Sequence, residues 1–283
     1  MTSEALVVSA AADPAAEAAS GDGERGVRHL SPSSASTFRQ CPRRWQHRYL
    51  DKLPDPKGIP ALLGTFVHRV LEELMVAAPA ERTMDLARTL ARRLWPEVAE
   101  DEDFQALMLD EVSSRGVRWQ AWRLIERYFA MENPAEVAVA EREQRLEVEL
   151  GGVPFVGVVD RTEHTDAGLR VTDYKTGRVP TARYLDDKLA QVWLYAAALE
   201  AVDQRVDEVR LMYLTGASID RPIDHEAATA AVTEHAATWS AIGAALDAGE
   251  FPTRTGPLCG WCPYASSCPE GRMEVERRYG PAA

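Results

Sequence analysis

Apolar residues recur every three or four positions in several stretches of the chain, which is the spacing of a helix that buries one face. In the first such stretch Phe38, Trp45 and Tyr49 share a face. Ser31 and Pro32 precede it as a helix-start signal. The helices predicted from this spacing span 33–50, 62–77, several pieces of 81–131, 185–202 and 226–248.

The pattern changes near residue 143 to alternation, in which every second residue is apolar, as in a strand with one buried face. Leu146, Val148 and Leu150 alternate in this way, and Gly151-Gly152 follows as a hairpin turn. The predicted strands span 143–150, 153–160, 169–175 and 208–214, with a polar turn at 162–168. Strands interspersed with helices in this order predict an α/β fold, a mixed sheet flanked by helices.

The composition is that of a soluble globular protein, since 46% of the 283 residues are hydrophobic and 27% are charged. No run of 18 apolar residues occurs, so neither a transmembrane helix nor membrane association is expected. The first residues include Glu4 and no basic residue, which argues against a secretory signal, and a cytoplasmic location is expected. Residues 1–28 are rich in Ala, Ser, Gly and acids and are predicted to form a disordered leader.

The net charge of −12 argues against a simple basic protein that coats nucleic acid. Its distribution is uneven, because residues 30–60 carry six basic and two acidic side chains while the middle of the chain is strongly acidic. The acidic balance therefore does not exclude an enzyme that acts on nucleic acid and contacts phosphates through the basic stretch.

Two carboxylates and a lysine stand on neighbouring predicted strands. Asp160 ends one strand, and Asp173 and Lys175 lie two positions apart on the next, so their side chains point to the same face. Carboxylate oxygens are ligands for a hard cation such as Mg²⁺ or Mn²⁺, and a nearby amine balances phosphate charge. The alternative is a surface hairpin whose charges are simply solvated.

Three polar residues on predicted helices are further candidates. His68 lies mid-helix with Glu72 one turn later, and its alternative role is that of a half-buried residue packed on the core. Gln191 and Tyr195 are also one turn apart, and their alternative is a polar rim on a buried helix.

All four cysteines of the chain fit one metal site. Cys259, Cys262 and Cys268 have the spacing C-x₂-C-x₅-C, and Cys41 lies far upstream. Four thiolates suit either tetrahedral zinc or an iron–sulfur cluster. The alternative is one C-x₂-C by chance and two core cysteines. A shared site would staple the N- and C-terminal segments together.

Taken together, these residues resemble the RecB/AddB-type nucleases of the PD-(D/E)XK superfamily, in the iron–sulfur branch that also includes CRISPR-adaptation exonucleases. The matching motifs occur in the order typical of that family from about Ser31 to Cys268. They are SxSxxxxFxxCPxRW from Ser31, GTFVHRVLE from Gly64, GVVDR from Gly157, DYKTG from Asp173, QxxxY from Gln191 and CxxCxxxxxC from Cys259.

The resemblance implies a role for each matching residue. His68, Asp160, Asp173 and the backbone carbonyl of Tyr174 would bind the divalent metal, and Lys175 would be the lysine of the D/E-x-K motif. Gln191 and Tyr195 would support the site and the DNA strand.

A glutamate is also expected on the strand before GVVD. The four competitors are Glu141, Glu143, Glu147 and Glu149, of which Glu143 is chosen. The cofactors implied are Mg²⁺ or Mn²⁺ at the carboxylates and a [4Fe–4S] cluster, in preference to zinc, on Cys41, Cys259, Cys262 and Cys268.

The implied function is a metal-dependent deoxyribonuclease, a single-strand exonuclease that acts on DNA with a free end in repair and recombination. Residues 29–283 would form one nuclease domain, with 81–131 as a helical insertion and 251–283 as a cysteine-bearing tail. The DNA-binding residues would be Arg39, Arg43, Arg44 and Arg48, on the helix that carries Cys41.

Two alternatives stay open: a non-catalytic, cluster-stapled DNA-binding subunit of a helicase–nuclease complex, and a CRISPR-adaptation nuclease. The chain has no P-loop, so any helicase motor would be a separate protein.

Overall fold

The computed structural model describes residues 27–280, in which nine α-helices and one five-stranded sheet are formed. The helices are α1 (Pro32–Gln40), α2 (Pro42–Trp45), α3 (Ile59–Val76), α4 (Met84–Glu100), α5 (Glu102–Ala106), α6 (Glu111–Met131), α7 (Leu185–Glu200), α8 (His225–Ala248) and α9 (Pro269–Tyr279). The strands are β1 (Val139–Leu150), β2 (Val153–His164), β3 (Leu169–Lys175), β4 (Val206–Tyr213) and β5 (Ala217–Pro222).

The sheet is mixed and has the order β1-β2-β3-β4-β5. β3 and β4 are parallel, whereas β2 with β3 and β4 with β5 are antiparallel. A parallel pair needs a crossover connection, which α7 supplies, and α7 packs against β1, β3 and β4. The predicted α/β class, a mixed sheet flanked by helices, is confirmed.

The turn between β1 and β2 is formed by Gly151 and Gly152, whose φ angles are +57° and +78°. Both angles lie in the left-handed region that glycine enters without a Cβ clash, as the predicted hairpin requires. β2 continues to His164, past its predicted end, because Thr162 and Glu163 are buried and pair with β3. The polar turn is therefore shorter than predicted.

The first predicted helix is interrupted at Cys41, which has the extended angles φ −162° and ψ 109°. Pro42 disfavours helical geometry in the residue before it and has no N–H to continue the hydrogen-bond ladder. The helix restarts as α2 and passes into a π-helical turn at Gln46–Leu50. One continuous helix over 33–50 is therefore wrong, and Cys41 stands at a helix boundary.

Two elements have no counterpart in the sequence prediction. None of the residues of β5 is buried, and in α9 only Gly271 is buried. Both elements therefore lack the apolar periodicity on which the prediction depends.

The described residues form two compact units. One comprises 27–54, 151–157 and 234–280, and the other comprises 55–150 and 158–233. The core of the first is centred on Trp45, which stacks on Phe251 with 5.9 Å between ring centroids. The core of the second is built from α3, α4 and α6 together with buried residues of β3 and β4.

Only the last two residues of the predicted leader, Val27 and Arg28, belong to the described part of the chain. Among the helices within 27–280, none combines the length and the apolar character needed to cross a membrane. One nuclease domain over 29–283 stays a prediction.

Candidate active site

Three side chains from separate elements meet in the second unit. His68 from α3, Glu143 from β1 and Asp160 from β2 each place one ligand atom within 4.8 Å of the others. The Nδ1 atom of His68 lies 3.4 Å from Oδ1 of Asp160. An imidazole nitrogen and carboxylate oxygens form a donor set that suits a divalent cation such as Mg²⁺ or Mn²⁺.

The burial of α3 explains why His68 reaches this place. Phe66, Val67 and Val70 are buried, and they hold the helix in one rotational setting against the core. His68 is half-buried at the edge of that apolar face, and the edge of its ring approaches Tyr174, with the centroids 5.9 Å apart. His68 therefore contacts the carboxylate of Asp160 and is not simply packed on the core.

A second group of polar side chains continues the site from β3 to α7. Lys175 Nζ lies 2.6 Å from Oδ2 of Asp173. The same Nζ donates to Oε1 of Gln191 at 3.0 Å, and Nε2 of Gln191 donates to the hydroxyl of Tyr195 at 2.8 Å. Asp173 and Lys175 share a face of β3, as the sequence predicts, and α7 brings the Gln–Tyr pair to the lysine.

Tyr174 links the aspartates through its backbone. Its N–H donates to Oδ2 of Asp160 at 2.7 Å, although its side chain belongs to the core of the second unit. Asp160 thus receives both this hydrogen bond and the contact with His68. The role of the Tyr174 carbonyl as a metal ligand stays a prediction.

Glu143 has φ +43°, a left-handed angle that residues with a side chain rarely adopt. Such backbone strain persists only where the surrounding structure holds it, and it is concentrated at functional sites. Among the four competing glutamates it is Glu143 that joins His68 and Asp160, while Glu147 is exposed and pairs with Arg145.

Burial and neighbouring charges shift the pKa values of the groups in this site. Burial by itself lowers the pKa of His68, but the charge of Asp160 and the contact with it outweigh burial and raise the pKa to about 9. Burial and the charge of Asp160 raise the pKa of Glu143 to about 8. Burial, opposed by Lys175 and reinforced by Asp160, also raises the pKa of Asp173. Several buried carboxylates competing for one histidine and one lysine suit a site that receives a divalent cation.

A family profile of the PD-(D/E)XK nuclease superfamily matches residues 29–269. The chain belongs to this superfamily. A phosphodiester hydrolase is the activity that such membership implies, and the group of His68, Glu143 and Asp160 is a candidate for the metal site that nucleases of this kind use.

Two solved structures match this nuclease-superfamily chain, and the first is similar to it in fold. One is a protein from Eubacterium rectale provisionally assigned as an exonuclease, with 14% identity, a TM-score of 0.51, and coverage of 83% of this chain and 87% of that one. The other is SSO0001, with 15% identity, a TM-score of 0.34, and coverage of 74% of this chain and 94% of that one. A search of curated proteins finds no match.

The four cysteines of this superfamily member are brought together in the first unit. All four line one cavity of about 200 Å³. Cys268 Sγ accepts the N–H of Gly271 at 3.3 Å at the start of α9, and Cys41 stands at the break between α1 and α2. Burial raises the pKa of the Cys262 and Cys268 thiols, so a metal would have to displace their protons.

The four arginines predicted to bind DNA have different surroundings. Arg43 and Arg44 line the cysteine cavity, and Arg43 donates to Gln46 at 3.2 Å. Arg39 lies 3.6 Å from a carboxylate oxygen of Glu234 and donates to Thr238, so its guanidinium is engaged with α8. The guanidinium of Arg48 lies 5.4 Å from the ring centroid of Tyr49. Their contact with DNA stays a prediction.

One residue beside the site has no predicted role. Arg161 directly follows Asp160, and its side chain is 1% exposed. The signal available in the sequence is a charged residue inside the otherwise apolar strand GVVDRT, since a buried arginine needs buried partners.

Proposed function

We propose that the protein is a Mg²⁺- or Mn²⁺-dependent deoxyribonuclease that removes nucleotides from single-stranded DNA with a free end, in repair and recombination. The observation that carries the proposal is the convergence of His68, Glu143 and Asp160, with Asp173 and Lys175 on the adjoining strand. Superfamily membership supports the reaction class. The DNA substrate and the exonuclease mode are the parts that we add.

The divalent metal would be held by His68, Glu143, Asp160 and Asp173. When bound, it polarises the scissile phosphate and lowers the pKa of a coordinated water. The chain's own contribution is to present these oxygens and the nitrogen on four different elements, so that the ligand set is assembled only in the folded protein. His68 must release its proton before its nitrogen can act as a ligand.

Lys175 supplies a positive charge beside the reacting phosphate. Asp173 and the amide oxygen of Gln191 hold its ammonium from two sides, and Tyr195 in turn holds Gln191. A group placed in this way loses little freedom on reaching the transition state, where it orients the attacking water or stabilises developing charge.

We further propose that Cys41, Cys259, Cys262 and Cys268 bind a [4Fe–4S] cluster, which would put the chain in the RecB/AddB-type branch. The support is that all four cysteines line one cavity. The motif order that resembles this branch favours a cluster over zinc, which four thiolates also suit. A cluster would join the N-terminal cysteine to the C-terminal loop.

Arg43 and Arg44 line the cysteine cavity and are our candidates for phosphate contacts. The acidic chain would depend on such local basic groups, and its DNA affinity would be sensitive to salt. A separate helicase would supply the single strand from duplex DNA.

The test is digestion of end-labelled single- and double-stranded DNA by the anaerobically purified protein with Mn²⁺. Wild type should shorten single strands from an end, and Asp173→Asn should not. Asp203→Asn, on an exposed turn, is the matched control and should cleave like wild type. Cleavage by Asp173→Asn at the wild-type rate would refute the site. If the wild-type protein bound DNA without cleaving it, the result would support a non-catalytic DNA-binding subunit instead.

A further inference from the structure

The pairing of β2 with β3 ends next to the residues that carry the candidate metal ligands. Within the described residues their register ends at the pair Arg161–Thr172 and includes neither Asp160 nor Asp173. On its other side β3 stays paired with β4 as far as Lys175. The ladder between β2 and β3 therefore stops one residue short of both aspartates, and a further interaction acts on the distance between them.

Tyr174 provides that interaction through both its backbone and its side chain. Its backbone N–H donates to the carboxylate of Asp160 at 2.7 Å. Its hydroxyl accepts from Nη1 of Arg161 at 2.8 Å. Because Arg161 follows Asp160 in the chain, the two hydrogen bonds close a ring across the strands at the point where their pairing stops.

Arg161 is itself held rigidly. Its two terminal nitrogens donate to the two carboxylate oxygens of Glu132 at 2.7 and 3.0 Å, and Nη2 also pairs with Glu163. Its guanidinium carbon lies 5.5 Å from the ring centroid of Tyr174. A bidentate arginine–carboxylate pair in a buried place has one preferred geometry, so the phenol of Tyr174 meets a fixed donor.

We propose that Arg161, Glu132 and Tyr174 form an arginine clamp, in which Arg161 is a positioning residue for the divalent-metal centre. The clamp holds the backbone of Tyr174, and thereby its neighbours Asp173 and Lys175, at a set distance from Asp160. This inference rests on the proposed function in one respect, that the held carboxylates bind Mn²⁺ or Mg²⁺. The clamp acts on the metal ligands through the backbone of Tyr174, and its side chains contact neither substrate nor metal.

The test uses the full chain and Mn²⁺ alone. Tyr174→Phe removes only the hydroxyl, and Arg161→Lys removes the fork that holds Glu132 and Tyr174 together. Both should weaken Mn²⁺ binding by about 10-fold, the usual effect of losing a partner behind a metal ligand, when measured by titration calorimetry. Because Arg161→Lys can also impair folding, Tyr174→Phe is the deciding variant, and thermal unfolding is measured for each protein.

Glu208→Gln is the matched control, because Glu208 belongs to the same charged face of the sheet but pairs with Arg170 at 2.7 Å and not with the clamp. Arg170 keeps Glu163 as a partner in this variant. Mn²⁺ affinity should be unchanged. A loss as large as that of Tyr174→Phe would overturn the proposal, since it would mean that the whole network acts through stability.

A second measurement does not need the metal. Hydrogen exchange of the backbone amide at position 174 should accelerate in Tyr174→Phe relative to the ladder amide at position 172. Unchanged exchange together with unchanged Mn²⁺ affinity would overturn the clamp. If wild type binds no Mn²⁺, the proposed nuclease site fails, and the exchange at position 174 alone decides whether the clamp holds the strands.

Discussion

Lys175 Nζ lies 2.6 Å from the carboxylate of Asp173, two residues earlier on the same strand, and 3.0 Å from the side-chain oxygen of Gln191 on α7. The lysine is thus held between a charge and an amide. Lys175→Ala should lower kcat for single-stranded DNA by about 100-fold or more, as the loss of one group that stabilises transition-state charge does. Lys188 is exposed on α7, the helix that carries Gln191, and Lys188→Ala should leave kcat unchanged. Equal rates for Lys175→Ala and wild type would remove Lys175 from the mechanism.

Glu143 and Glu147 offer a matched pair on β1. Glu143 joins the metal-ligand group, whereas Glu147 is exposed and pairs with Arg145. Glu143→Gln should weaken Mn²⁺ binding by more than about 10-fold, because it removes a charged oxygen from the ligand set. Glu147→Gln should bind Mn²⁺ like wild type. Calorimetry with Mn²⁺ measures both, and a reversed order would assign the ligand to the other glutamate.

The cysteine cavity predicts the metal content of the protein. Anaerobically purified wild type should contain about four irons per chain and show the broad visible absorbance of an iron–sulfur centre. Cys262→Ser should lose most of the iron, since a ligand of the cluster is removed, while Ser267→Ala in the same loop should keep it. Stoichiometric zinc in place of iron would contradict the cluster and favour a zinc staple.

The burial of His235 predicts that the folded protein loses stability at acidic pH. Its side chain is 0% exposed and lies against Phe155, with the ring centroids 5.6 Å apart. Burial lowers its pKa to about 4. The unfolded histidine, with an ordinary pKa near 6.5, binds a proton that the folded one rejects, so stability is full above about pH 6.5 and falls as the pH drops toward 4.

The loss attributable to His235 should approach about 3 kcal/mol by pH 4, which follows from the shift between its folded and unfolded pKa. Denaturant unfolding at a series of pH values measures it. His235→Phe carries no titrating ring at this position and should lose less stability over the same interval. A pH dependence in His235→Phe as steep as in wild type would assign the acid sensitivity to other groups.

Much of the strand order and of the candidate site was predictable from local patterns. Alternation on β1, the two glycines after it and the short polar turn before β3 predict the hairpins, because side-chain direction and turn geometry depend on neighbouring residues alone. The spacing of Asp173 and Lys175 predicts that they share a face for the same reason.

Other features depend on contacts between distant residues and leave no local pattern. The meeting of Glu143 with His68 and Asp160 depends on the approach of β1 to α3 and β2, and the burial of Arg161 depends on Glu132 at the end of α6. β5 and α9 have no apolar stripe. The break at Cys41, in contrast, has a local signal that the helical spacing outweighed in the prediction, because Pro42 disfavours helical angles in the residue before it.

The sequence by itself determined which residue types could do chemistry and on which elements they would lie, because periodicity and motif spacing are properties of the chain. Only the tertiary structure decided which of them meet. His68, Glu143 and Asp160 come from a helix and two strands, and their approach within 4.8 Å results from the packing of α3 against β1 and the position of β1 beside β2, which no stretch of sequence encodes alone.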